Sequence, residues 1–185
     1  MCAEPKKNKE AMAETIENNV RRLIIDESPI NPKYYEKMSK LLDALIRQRR
    51  QEALDYQTYL EEIVALTKKV MHPEAGAYPT LLNTPATRAL YDNLGKKEVL
   101  ALAVDSAVRS SRQDDWRSNV FKVKKVKLAI KAALEQSLLH GVSASADPTS
   151  SPKAEHPAGY EAKAAESIET LVERVLTLVQ NQDEY

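Results

Sequence analysis

The stretch Asn31–Met71, NPKYYEKMSKLLDALIRQRRQEALDYQTYLEEIVALTKKVM, constrains the fold more than any other part of the chain. It holds no Gly, and its one Pro, Pro32, stands where a helix would begin. Pro at the first helical position gives up an N–H that has no helical partner there, and Asn31 before it is a good N-cap. Met38, Leu41, Leu42, Leu45 and Ile46 then recur at helical spacing as an expected buried face. Arg47, Arg49 and Arg50 interrupt the stripe, which resumes at Tyr56, Leu60, Ile63, Leu66 or Thr67, and Val70. One continuous helix of about 40 residues, roughly 60 Å long, fits this pattern. A hairpin broken near Ala53–Asp55 fits it better, because Asp55 can cap a second helix while Leu54 packs on Tyr59. The arginines suit ion pairs with a neighbouring helix, or phosphate. Tyr34, Tyr35, Tyr56 and Tyr59 either form a recognition face or sit half-buried with their hydroxyls reaching polar groups.

The flanking sequence is helical too. Met12, Ile16, Val20, Leu23 and Ile24 put one apolar stripe on a helix over 8–27, which Pro29 and Pro32 end. After a loop over 72–83, Thr84-Pro85 repeats the cap-and-proline device, and Gly95 stops the short helix that follows. Ala86, Ala89, Leu90 and Leu94 are expected to face inward. Residues 97–112 carry Val99, Leu100, Leu102, Ala103, Ala107 and Val108 around much of the circumference, which predicts the most buried helix of the set. Trp116 is expected to anchor a polar loop. A helix capped by Ser118 or Asn119 runs to about His140, with Val123, Val126, Ile130, Ala133 and Leu134 as its core arc and Gly141 as its end.

Residues 142–159, VSASADPTSSPKAEHPAG, read as a flexible linker. Residues 160–185 then form a C-terminal docking helix whose apolar stripe is Ile168, Leu171, Val172, Val175, Leu176 and Val179. A single helix cannot bury its own stripe, so it must dock on the bundle or on another protein. The fold class expected is all-α: an irregular bundle of about six helices over 8–141, preceded by a disordered leader over 1–7. Four Gly and one Phe in 185 residues argue against a β fold.

Charge excludes little at the level of the whole chain, because 27 Lys and Arg balance 27 Asp and Glu. Local imbalance is informative. Residues 109–135 hold eight basic and three acidic residues, a net +5, whereas 153–185 hold three basic and seven acidic, a net −4. Arg109, Arg112, Arg117, Lys124, Lys127 and Lys131 are thus candidates for contact with duplex DNA or an acidic partner, or they form a solvated helix face. Asp114 and Asp115 lack a third acid nearby, and His72, His140 and His156 stand far apart, so no metal site is expected. No phosphate-binding glycine loop, HExxH, paired CxxC or nucleophile elbow occurs, so no catalytic residue and no cofactor are expected. The single Cys2 fits a reducing compartment. With neither a secretory signal nor a membrane-length apolar run, the expected location is cytoplasmic, with no membrane partner.

Five stretches together resemble the C-terminal helical region of the R (restriction, motor) subunit of type I restriction–modification enzymes. They are ENNVRRLIIDESPINPKYYEKMSKLLDALI, RRQEALDYQTYLEEI, TPATRALYDNLG, DDWRSNVFKVKKVKLAI and LVQNQDEY, in that order. Members of that family carry an upstream nuclease domain and two motor lobes that hydrolyse ATP, and none of those motifs occurs in this sequence. The resemblance implies a non-catalytic role in DNA restriction and host defence. Its helices would brace the motor lobes and join the R subunit to the methyltransferase and specificity subunits.

Overall fold

A computed structural model describes residues 4–51, 54–73, 78–143 and 167–185. Its described residues form seven α-helices and no strand: α1 Glu4–Glu27, α2 Pro32–Arg50, α3 Tyr56–Met71, α4 Pro85–Asn93, α5 Glu98–Ser111, α6 Val120–Ser143 and α7 Ile168–Gln180. A 3-10 turn, Trp116–Ser118, joins α5 to α6. The contacts divide the chain into two compact units, 1–96 and 97–185. This partition differs from the expected one, in which a single bundle over 8–141 was followed by a tethered helix.

In the first unit α1, α2 and α3 pack on one another and α4 packs on α2. The hairpin is real. Gln51 follows α2, and Asp55 caps α3 by accepting from the Gln57 and Thr58 amides at 2.9 and 3.0 Å. Leu54 is half-buried against the core cluster. Asn31 caps α2 through the Tyr34 amide at 3.3 Å, ahead of Pro32. The cap residue is itself held: Asn93 donates to Asn31 Oδ1 at 2.9 Å, and Asn31 donates to Asp92 Oδ2 at 2.8 Å. Tyr78 donates to the same Asp92 oxygen at 2.7 Å. These bonds tie the start of α2 to the end of α4. Thr84 and Thr87 form a capping box at α4. At its far end Gly95 takes φ +71°, and the Lys96 amide bonds to the Tyr91 carbonyl, which satisfies an orphaned acceptor.

The core of this unit is Ala13, Val20, Ile24, Tyr35, Met38, Leu42, Leu45, Ile46, Tyr59, Ile63, Leu66 and Val70. Two expectations for its faces fail. Met12 and Leu41 are exposed, and the buried stripe of α1 runs through Ala13, Glu17, Val20 and Ile24. The α1 stripe is rotated because Glu17 turns inward, where Arg49 Nε meets its Oε1 at 2.7 Å and the Tyr59 hydroxyl meets the same oxygen at 3.1 Å. Helix α1 also starts at Glu4, within the expected leader, while residues 1–3 lie outside the described residues. Of the four hairpin tyrosines, Tyr35 and Tyr59 are buried and Tyr34 and Tyr56 half-buried. Tyr34 and Tyr35 donate to the carbonyls of Lys69 and Val70 at 2.7 and 3.4 Å. Carbonyls in a helix's last turn lack intrahelical partners, so these hydroxyls finish α3.

In the second unit α6 packs against α5, α7 and the 3-10 turn. Its buried residues include Val104, Val108, Trp116, Val126, Ile130, Leu134, Val172, Val175 and Val179. Contrary to expectation, helix α5 does not bury much of its circumference. It buries Leu100, Ala101, Val104, Val108 and Ser111 along one face, and Val99 is 81% exposed. Gly141 does not stop α6, which continues to Ser143. A Gly within a helix costs only about 1 kcal/mol relative to Ala, which neighbouring turns can absorb. The rest of the expected linker, 144–159, and the expected start of the last helix, 160–166, lie outside the described residues.

Candidate interaction surface

The basic candidates all lie in the second unit, on α5, the 3-10 turn and α6. Asp115 enters the turn with φ +53°, a left-handed conformation that Asp tolerates better than most residues, and Ser118 donates to its carboxylate at 2.7 Å. Trp116 is buried behind this turn as the expected anchor, and its indole Nε1 has no hydrogen-bond partner among the described residues. Asn119 then caps α6, accepting from the Phe121 amide at 3.0 Å.

Four of the six basic candidates are engaged by the last nineteen described residues, and the pairing follows the opposite net charges of the two segments. Lys127 forms an ion pair with Glu173, and Lys131 reaches Glu169 at 3.3 Å and Glu135 at 3.8 Å. Arg117 donates to the Gln182 carbonyl. Arg109 pairs with Asp105 at 2.9 Å and Glu184 at 3.4 Å, and its guanidinium lies over the Tyr185 ring at 5.1 Å. The hydrogen bond that Arg109 donates to Asp105 is the largest influence raising the Arg109 pKa. Burial, then the bond to Asp105, pushes the Tyr185 hydroxyl far above its usual range. The Glu169 carboxyl is held below its usual range by its own amide in the first turn of α7 and then by Lys131. Arg112 and Lys124 remain exposed and have no ion pair among the described residues.

The candidate docking stripe is already covered. Val172, Val175, Leu176 and Val179 are buried, Ile168 and Leu171 are half-buried, and α7 packs on α6 of the same unit. Of the two docking options open in the sequence, the described residues show the one within the chain. Leu178, Gln182 and Tyr185, which the sequence reading passed over, are buried with the stripe.

Beside this contact α6 and α7 leave an apolar groove of about 530 Å³. Val123, Val172 and Leu176 line it with Val120 and Leu128, and Lys124, Lys127, Lys131, Glu169 and Glu173 stand around it. Val120 is 79% exposed, its neighbour Phe121 85% and Leu128 58%. Sequence reading missed this face because Val120, Phe121 and Leu128 lie off the core arc. The signal was there: large apolar residues interleaved with lysines outside the core arc. A second cleft of about 560 Å³ lies among Arg109, Arg112, Arg117, Asp114, Trp116 and Tyr185. Among the described residues no group of His, Cys, Asp or Glu side chains is gathered as for a metal ion, and no helix is long and apolar enough to cross a membrane.

Fold and surface together define an all-α protein whose accessible features are faces and grooves of helices. No family model, no curated protein and no solved structure matches the chain.

Proposed function

We propose that the chain is a non-catalytic helical module of a type I restriction R subunit, acting in the cytoplasm. It braces the motor lobes and contacts the methyltransferase and specificity subunits through protein surfaces. The resemblance of five ordered stretches, falling on the helices and their caps, carries the reading. Thr84–Gly95 is the whole of α4 with both its ends, and Asp114–Ile130 is the 3-10 turn together with the first part of α6. An exposed apolar and basic face on α6 adds physical support, since such patches mark sites of association.

A pull-down of the purified chain with the methyltransferase and specificity subunits of a type I restriction system tests this reading. Retention that Leu128→Glu on the exposed α6 face reduces supports it; no retention of the unaltered chain removes it. ATP hydrolysis and duplex cleavage by the chain alone stay at background under the same reading. The alternative, DNA contact through the 109–131 face, has weaker support, because Arg109, Arg117, Lys127 and Lys131 are already engaged. Binding to duplex DNA that falls steeply with salt and is lost in Arg112→Ala/Lys124→Ala would favour it instead.

A further inference from the structure

We propose that the α6–α7 groove is a docking site for an acidic amphipathic helix of a partner protein. The inference rests on the reading of the chain as an interaction module and names the chemistry of what it binds.

Shape gives the first part of the argument. The groove is concave, floored by Val123, Val172 and Leu176 and edged by Val120 and Leu128. It follows α6 from Val120 to Lys131, about 16 Å at 1.5 Å per residue, the length of three turns of a partner helix. A helix lying there would present anchors at i, i+3 or i+4, and i+7.

Charge gives the second. From Val120 to Leu134 helix α6 carries five lysines and no acidic residue. Lys127 and Lys131 are met by Glu173 and Glu169, and Lys122 donates to the Asp114 carbonyl at 2.7 Å. Lys124, which lines the groove, is left exposed with no ion pair among the described residues. Helix α7 shows what α6 accepts: an amphipathic helix whose apolar stripe meets the core arc while its glutamates meet lysines. A second helix of the same character, from outside, fits the groove beside it by the same chemistry. An anionic lipid surface suits the lysines, but it does not suit a concave floor or the carboxylates of Glu169 and Glu173 at its edge.

The test uses the full chain and a fluorescent helical peptide of about 20 residues, with leucine at i, i+3, i+4 and i+7 and glutamate on its flanks. The probe should bind, more weakly as salt rises, and the scrambled peptide should not. Leu128→Glu and Lys124→Glu should each weaken binding by about tenfold or more, while Leu41→Glu on α2 leaves it unchanged. All three side chains are exposed, and circular dichroism checks that each variant keeps its helix content. The proposal is overturned by absent binding, by equal binding to the Leu128→Glu variant, by binding to phosphatidylserine vesicles in place of the peptide, or by self-association that Leu128→Glu abolishes. If the peptide binds and the methyltransferase pull-down fails, the restriction-subunit reading falls and the groove stands; the opposite pattern removes the groove alone.

Discussion

The two units solve the problem of polar groups in opposite ways. The first buries them: Glu17 is 4% exposed, paired with Arg49 and bonded by Tyr59, and Asn31 and Asn93 are sealed where α2 meets α4. The second buries the neutral Ser111 and Gln182 but no charged residue among those described, and it places its charge pairs at the surface, with Lys127–Glu173 and Lys131–Glu169 linking α6 to α7. Buried pairs fix which helix faces which, because a mispaired charge in a core costs far more than a misplaced leucine. Surface pairs tolerate displacement, and a unit built that way can offer a helix face to a partner without losing its own packing.

The largest effect should come from breaking the buried pair. Glu17→Ala leaves the Arg49 guanidinium uncompensated and should cost about 3–5 kcal/mol. Trp116 is the single Trp and lies in the second unit, so its fluorescence follows that unit while far-ultraviolet circular dichroism follows both. Urea unfolding of the variant should shift the dichroism and leave the Trp116 transition in place; a shift in Trp116 alone would break the contrast between the units. Ile130→Ala, in the fully buried face of α6, should do the reverse, lowering the Trp116 transition by about 2–5 kcal/mol.

Alkali should separate the units more mildly. Burial, with Glu27 beside it, pushes the Tyr35 hydroxyl up to about 12. Burial raises Tyr59 and Tyr78 as well, helped by Glu17 and Asp92, whereas in the second unit Tyr185 is the one such group among the described residues. A folded pKa above the unfolded value means that the folded state holds its proton more tightly. The stability this contributes is complete below pH about 10 and is lost as pH climbs toward and through about 12. Urea midpoints at rising pH should fall first in the dichroism signal, and Tyr35→Phe should reduce that fall. The smallest effect belongs to the surface pairs. Lys127→Ala or Lys131→Ala should cost the Trp116 transition about 0.5 kcal/mol, and less in about 1 M salt.

What the sequence made legible was local chemistry. Asn31-Pro32, Asp55 and Thr84-Pro85 mark helix starts because a cap needs only its own next few residues, and Gly95 marks an end because its φ is positive. Faces were harder wherever a partner decided them. Glu17 interrupts an apolar stripe in the sequence, and only Arg49 and Tyr59, more than thirty residues away, make its burial tolerable. Val99 reads as core yet faces out, because α5 needs only one face for α6. The surplus of positive charge over 109–135 and of negative charge over 153–185 were both visible. Their meeting across α6 and α7 was not, since the sequence gives no measure of which helix returns to which. The same reasoning explains the missed groove, which exists only once α7 lies beside α6.

The proposed function requires the α6 face to meet the other subunits. Hydrogen exchange of the full chain, alone and with the methyltransferase–specificity complex, reads this directly. The expected result is added protection across residues 120–131 of α6, with the α2 and α3 amides of the buried first-unit core unchanged. Protection confined to α2 and α3, or none anywhere, would contradict it.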